Sequence, residues 1–328
     1  MKHITILVPN DAVLASIVDP RYMFTTINQF LEMGGGRPLF QVQLAGLSND
    51  VFLNAGSFAV HMDILLQDLK KTDLIIIPAL SGDMRSALQM NAGFIPWIED
   101  QYRRGAEVAS LCIGAFLLAA TGLLNGKKCS THWIYANEFR EMFPEVTLVD
   151  DRIITEEDGL YSSGGANSYW NLLLYLVEKY TTREMAIRAS KFFAIEIDRK
   201  SQSPFIMFNG QKKHEDSPIR NAQEFIENNI TEKISVEELA TRFAIGRRHF
   251  ERRFKKATNN TPVEYIQRVK IEAAKKMLES GNKNVSEVMY EVGYADIKAF
   301  RSVFKKITGL SPIEYKNKYH KDAVQVAV

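Results

Sequence analysis

The chain has 328 residues, 46% hydrophobic and 24% charged, a balance that excludes a disordered, collagenous or fibrous protein. At roughly 150 residues per domain, its length predicts about two domains. The formal net charge of +2 conceals a division: residues 1–190 carry 15 Lys/Arg against 21 Asp/Glu, and residues 191–328 carry 26 against 18. An acidic half joined to a basic half points to a polyanion as partner of the basic half. Cys112 and Cys129 offer no disulfide framework, no CxxC and no zinc spacing, which fits a reducing cytoplasm. The apolar start of the chain is too short for a signal sequence and ends at Pro9-Asn10-Asp11. The run from Cys112 to Leu124 is interrupted by Gly114, Thr121 and Gly122, and falls short of the roughly 20 residues of a membrane span. A cytoplasmic protein without membrane contact is expected.

Short apolar runs and helical patterns alternate through the first half. Ile4–Val8, Phe40–Ala45, Asp73–Pro78, Glu107–Leu111 and Leu160–Ser163 read as strands. Pro20–Met33, Phe94–Arg104, Ile113–Ala120 and Trp133–Phe143 read as helices, and a long helix follows Ala166. Thr181-Thr182-Arg183-Glu184 has the form of a capping box opening one more. The alternation predicts an α/β domain over residues 1–190: a mostly parallel sheet of the flavodoxin-like kind, with helices on both faces. Residues 191–217, polar and rich in turn formers, read as a linker.

From 218 to 328 the strand signals vanish and an all-α domain is expected. Ala222, Phe225, Ile226 and Ile230 share one helical face, and Ser235-Val236-Glu237-Glu238 is another capping-box pattern. This half contains a repeat. Shifted by 50 residues, Phe250–Tyr265 lies over Phe300–Tyr315 with 8 of 16 positions identical. Both copies end in the same start signal, Thr261-Pro262-Val263-Glu264 and Ser311-Pro312-Ile313-Glu314: a hydroxyl at N-cap, Pro at N1, Glu at N3. Each copy reads as helix, tight turn and helix. Phe250/Phe254 and Phe300/Phe304 face inward. Arg247, Arg248, Arg252 and Arg253 lie opposite in the first copy, and Lys298, Arg301, Lys305 and Lys306 in the second. One basic helix alone reads more readily as a solvated face. Two in a duplicated frame, on the basic half, predict paired helix-turn-helix modules reading double-stranded DNA. Between them Pro262–Leu278 reads as a spacer helix with Ile266, Val269, Ala273 and Met277 on its apolar stripe. At 1.5 Å per residue it spans roughly 25 Å, suited to setting two recognition helices about one DNA turn apart.

The segment from about Ile219 to Tyr319 resembles the AraC/XylS-type DNA-binding domain. The resemblance rests on Ala240-x-x-Phe243, Arg248-His249-Phe250-x-Arg252-Arg253-Phe254, Val292-Gly293-Tyr294 and Thr308-Gly309-x-Ser311-Pro312-x-x-Tyr315. It implies base readers at Arg248 and Arg252, and at Lys298, Arg301 and Ser302; many relatives carry Arg where this chain has Ser302. Arg247 and His249 complete the expected DNA-contacting set.

In the first half, Ser110-Leu111-Cys112-Ile113-Gly114-Ala115 follows a strand and opens a helix, the setting of a nucleophile elbow with backbone N–H groups nearby. Residues 3 to about 190 resemble PfpI-type, glutamine-amidotransferase-like domains. The string from Cys112 to Gly126, followed by Thr131-His132-Trp133, resembles the GlxA-type regulators, which join such a domain to an AraC-type tail. The resemblance implies a ligand cleft at the carboxyl ends of the strands, lined by Asn10, Asp11, Ser81, Gly82, Cys112, His132, Gly164 and Gly165. Hydrolases of the class carry His directly after the cysteine, where this chain has Ile113; Asn171 stands where relatives often carry Asp. Two readings stand. The first is a transcription regulator binding operator DNA and a small-molecule effector, expected as a homodimer, with RNA polymerase a candidate partner. The alternative is a cysteine hydrolase or amidase using Cys112, with a basic DNA-localising tail. His3, His61, His214, His249 and His320 lack HxH or HExxH spacing, so neither metal nor cofactor is expected. Gly34-Gly35-Gly36 lacks the context of a phosphate loop and reads as a turn.

Overall fold

The computed structural model describes residues 1–197, 199, 201–281 and 283–320. The chain divides into two compact units, Met1–Gln202 and Ser203–Val328.

The first unit follows the predicted alternation. Its strands are β1 (Lys2–Leu7), β2 (Phe40–Gly46), β3 (Asp50–Leu53), β4 (Phe58–His61), β5 (Ile64–Leu65), β6 (Leu74–Ile77), β7 (Glu107–Ser110), β8 (Lys128–Cys129), β9 (Thr147–Leu148), β10 (Ile154–Glu157) and β11 (Leu160–Ser163). Its helices are α1 (Ala15–Met33), α2 (Met84–Met90), α3 (Ile95–Arg103), α4 (Ala115–Ala120), α5 (Ala136–Met142), α6 (Tyr169–Tyr180) and α7 (Arg183–Phe192). Seven strands form one sheet in the order β10-β11-β7-β6-β1-β2-β5. Every neighbouring pair is parallel except β10 with β11. β6 is buried at all four positions, Leu74 to Ile77, which is why it reads as a continuous apolar run and not as an alternation. Its side chains divide between the two faces. Leu74 and Ile76 pack with α1 and α6 residues such as Phe24, Ile27 and Leu173, while Ile75 and Ile77 pack with Phe116, Leu117 and Phe139 from α4 and α5.

Three readings need correction. Helix α1 begins at Ala15 and carries Pro20 inside it. The proline removes one N–H near the helix start, and burial of Ile17, Phe24 and Ile27 outweighs that loss. The cap of α7 is Thr182, whose hydroxyl accepts from the Met185 N–H, while the Thr181 hydroxyl turns back to the Val177 carbonyl. Residues 133–135 form a short 3-10 turn ahead of α5 and do not belong to it.

The second unit is helical among its described residues: α8 (Ser217–Asn228), α9 (Val236–Arg242), α10 (Arg247–Thr258), α11 (Pro262–Ser280), α12 (Val285–Glu291), α13 (Ile297–Thr308) and α14 (Pro312–Tyr319). Two cores flank α11. One gathers Ile219, Ile226, Leu239, Phe250, Phe254 and Tyr265; the other gathers Ile271, Leu278, Val288, Phe300, Phe304 and Tyr315. Of the three expected capping boxes, those at Thr261/Glu264 and Ser311/Glu314 form, whereas at Ser235 only the hydroxyl half is present, accepting from the Glu238 N–H; Asn284/Glu287 makes a further box. The polar stretch before α8 packs within this unit. Lys275 Nζ donates to the Ile206 carbonyl at 2.6 Å, and the Phe208 N–H donates to Glu272 at 3.1 Å.

The buried stripe of α11 also differs from the predicted one. Tyr265, Ile266, Lys270, Ile271, Ala274, Lys275 and Leu278 are buried, while Val269, Ala273 and Met277 lie at the edge. Two lysines occupy core positions because their ammonium groups find carbonyl partners, which a hydrophobic pattern cannot register. Lys270 Nζ donates to the Glu232 carbonyl at 2.8 Å and to the Gly293 carbonyl at 3.4 Å. One buried charge thus ties the loop before α9 to the turn after α12, and burial holds its pKa below the usual lysine value.

Candidate functional site

The two repeats are superposable in kind but not in register. Helices α9 and α12 start 49 residues apart at Val236 and Val285, whereas α10 and α13 start 50 apart at Arg247 and Ile297. The second connection is therefore one residue longer. Each turn holds one left-handed residue, Ala244 (φ 52°) and Gly293 (φ 70°). Phe250, Phe254, Phe300 and Phe304 are fully buried, and this fixes the opposite faces of α10 and α13 toward solvent. Arg248, His249 and Arg252 are exposed on α10; Lys298, Arg301, Ser302, Lys305 and Lys306 are exposed on α13. The Arg252 guanidinium donates to His249 Nδ1 at 3.0 Å, so the two side chains lie along one edge. Arg247 is exposed but paired with Glu237 at 3.0 Å and Glu251 at 3.2 Å.

Arg253 departs from the expected basic face. Its guanidinium forms a two-point pair with Asp216, at 2.7 and 2.9 Å, and Asp216 also caps α8 by accepting from the Ile219 N–H. Arg253 therefore fastens α8 to α10 and does not present itself to a ligand. Its hydrogen bond holds the Asp216 carboxyl below the usual carboxylate range. The stabilisation is present above that range and is lost as pH falls through the lowered folded value. Replacing Arg253 by Ala is expected to destabilise the second unit by about 1 kcal/mol, the upper end for a two-point pair that is partly exposed, with sequence preference on DNA unchanged. Urea denaturation alongside operator titration checks this; a changed base preference would return Arg253 to the DNA-reading set.

The second site lies at the carboxyl ends of four neighbouring strands. Each strand end leads to a residue of positive φ: Asp11 (58°) after β1, Gly82 (80°) after β6, Cys112 (53°) after β7 and Gly165 (68°) after β11. Asn91, buried between helices, clamps the β1 loop by accepting from the Asn10 N–H and donating to its carbonyl. The Ser81 hydroxyl donates to the Asp11 carbonyl at 2.8 Å, which ties the β1 and β6 loops together. On the other side the Cys112 N–H donates to Ser163 Oγ at 3.1 Å, and Thr131 Oγ1 donates to the Cys112 carbonyl at 3.1 Å. Asn10, Asp11, Ser81 and Gly82 are exposed, His132 is half-buried, and Cys112, Gly164 and Gly165 are buried.

The elbow geometry at Cys112 is present, with the left-handed backbone and the helix that follows. The chemistry around the thiol is apolar. Burial pushes the Cys112 thiol up to about 12, against the Ile113 N–H that favours the thiolate. His132 Nδ1 accepts from the Ile134 N–H at 3.2 Å, so its one lone-pair nitrogen is engaged, and burial lowers its pKa. Asn171 does not replace an acid in the cleft; its amide donates to the Glu196 carbonyl. Sequence reasoning missed Thr131, Ser163 and Asn91, whose roles come from hydrogen bonds across the chain. It also missed Tyr169, near Cys112, whose hydroxyl donates to Asp19 at 2.6 Å.

Comparison with known proteins agrees with both halves. The DJ-1/PfpI family matches residues 22–179, and a helix-turn-helix domain family matches residues 239–318. The HTH-type transcriptional regulator GbdR of Pseudomonas aeruginosa is 24% identical over 310 residues, covering 91% of this chain and 79% of that protein. The HTH-type transcriptional regulator GlxA of Rhizobium meliloti is 21% identical over 211 residues, 64% of this chain and 65% of that protein. The crystal structure of an AraC family transcriptional regulator from Pseudomonas putida shares the fold, with TM-score 0.50 and 18% identity over 59% of this chain and 100% of that one. A THiJ/PfpI family protein from Pseudomonas syringae matches with TM-score 0.50 and 19% identity, over 69% of this chain and 86% of that one. The chain joins a DJ-1/PfpI domain to an AraC-type helix-turn-helix domain, the architecture of the HTH-type regulators GbdR and GlxA to which it is similar.

Proposed function

We infer that this protein is a sequence-specific transcription regulator whose first unit binds a small-molecule effector and whose second unit binds operator DNA. The observation that carries the reading is the pair of solvent-facing basic helices, α10 and α13, held on either side of α11 by two separate cores. Arg248, Arg252, Lys298, Arg301 and Ser302 are proposed to reach base edges, with Arg247 and His249 beside them at the phosphates. The effector is proposed to bind at the carboxyl ends of β1, β6, β7 and β11, among Asn10, Asp11, Ser81, Gly82, Cys112, His132, Gly164 and Gly165. A homodimer, recruitment of RNA polymerase and a cytoplasmic location complete the proposal. No described helix is long and apolar enough to cross a membrane.

The hydrolase reading lacks support from the cleft. A cysteine nucleophile needs a base with a free lone pair and a lowered thiol pKa. Cys112 has a raised one, and His132 Nδ1 is engaged. Cys112→Ser is therefore expected to leave operator binding and regulated reporter expression unchanged. The check is the mutant and wild-type chains on a reporter and on a panel of amide and ester substrates. Turnover by the wild type that vanishes in the mutant would establish the enzyme instead.

A further inference from the structure

The last residues of the first unit are fastened beside the proposed cleft. Ser201 bridges to Arg152, and the Gln202 N–H donates to the Asp151 carbonyl at 2.9 Å. The Gln202 side chain then turns inward, 1% exposed, and its Nε2 donates to the Thr131 carbonyl at 3.0 Å and to the Arg152 carbonyl at 3.3 Å. Thr131 in turn holds the Cys112 carbonyl through its hydroxyl. The amide seats directly on Gly164: a Cβ there would lie 2.7 Å from Gln202 Cδ and 2.8 Å from the Arg152 carbonyl. Gly164 is thus required for the side chain to enter at all. The Gln202 Oε1 is buried without a hydrogen-bond partner and lies 3.6 Å from where a Cβ of Gly165 would stand. Buried amide oxygens are rarely left so, because the group gives up its water without a replacement. A side chain that is half satisfied is held, but not deeply.

Ser203, the next residue, begins the DNA-binding unit. We propose that Gln202 is a latch that fixes the start of the inter-unit tether to the cleft through Thr131 and Gly164, so that a change at the cleft is passed to the chain entering the DNA-binding unit. The proposal rests on the reading of this cleft as the effector site. The strands bring the Cys112 loop, Thr131 and Gly164 to one place, and the tether plugs into it. A cleft occupant that seats or unseats the amide changes the length of free chain ahead of the anchors at Ile206 and Phe208. Such an occupant acts only through its different affinity for the two states.

The test uses the full chain without any ligand. Gln202→Ala removes the amide, and Gln202→Met keeps the volume that fills the Gly164 notch but lacks the N–H donors. Hydrogen exchange is followed at the Gln202 and Gly164 amides, which donate to Asp151 and Ile153 in the closed form. Alkylation of Cys112 by iodoacetamide, mapped by peptide mass, reports the cleft. Both variants are expected to speed exchange at the two amides, and alkylation of Cys112, by about tenfold, while the amides of β1 and β6 keep the wild-type rates. Wild-type rates in Gln202→Met at both reporters would overturn the latch, since packing alone would then hold the tether. Faster exchange throughout the first unit would also overturn it, by making Gln202 a general core residue. Specific operator binding by the wild-type chain is the separate test of the regulator reading, and its failure would leave the exchange result standing.

Discussion

Alanine at Arg252 is expected to weaken binding to a specific operator by about 1–3 kcal/mol, and alanine at Arg248 by a similar amount. Both side chains stand on the solvent face of α10, opposite the buried Phe250 and Phe254. Arg248 has no side-chain partner among the described residues, and Arg252 gives up only an exposed contact with His249 when it engages a base. Little intramolecular bonding is therefore lost on binding. Replacing both is expected to bring a specific site down to the level of scrambled DNA, because what remains is phosphate contact, which carries no sequence information. Arg247→Ala should behave differently. Its guanidinium is tied to Glu237 and Glu251, and its loss is expected to lower affinity evenly across sequences and to flatten the salt dependence. Anisotropy titrations on specific and scrambled duplexes at several salt concentrations separate the two effects. Equal losses on both duplexes for Arg252→Ala would remove it from the base-reading set.

The largest effect on stability is expected at Gly293. Its backbone is left-handed, at φ 70°, and a Cβ there would lie 2.6 Å from Lys270 Nζ and against the Thr231 carbonyl. Alanine thus meets backbone strain and a rigid obstacle together, and displaces a buried ammonium from its carbonyl partners. A loss of about 2–4 kcal/mol in the second unit is expected from these combined costs. Because Lys270 binds both the Glu232 and Gly293 carbonyls, the damage should reach both helix-turn-helix modules. Denaturant unfolding followed by circular dichroism measures this directly. A variant as stable as the wild type would mean that the turn relaxes freely and that Lys270 does not couple the modules.

The elements most legible in the sequence were those whose local signals agreed. β6 showed itself as an apolar run closed by Pro78, and the starts of α11 and α14 as hydroxyl, proline and glutamate in fixed order. The repeat was legible because two phenylalanines one turn apart must both be buried. Less legible were elements defined by partners distant in sequence. The hairpin of β3 and β4 and the edge strand β10 lack a long apolar run: β3 buries only Val51 and Leu53, β4 only Val60, and β10 is half-buried or exposed throughout. Arg253 looked like its basic neighbours until Asp216, 37 residues away, was placed beside it. Lys270 and Lys275 carry no local sign of burial for the same reason. In the cleft, the elbow at Cys112 could be read from its glycine and small residues. Its surroundings, Thr131, Ser163 and Tyr169, could not, because the sheet order that gathers them is not local.

The account requires two recognition helices on a spacer. Helix α11 has 19 residues and spans about 28 Å, close to one turn of DNA. The most direct measurement is hydroxyl-radical footprinting of the full chain on an operator fragment. Two protected patches about 10 base pairs apart on one face of the duplex are expected. Arg248→Ala with Arg252→Ala should erase one patch, and Lys298→Ala with Arg301→Ala the other. A single patch, or one footprint that both double variants weaken alike, would contradict paired recognition by α10 and α13.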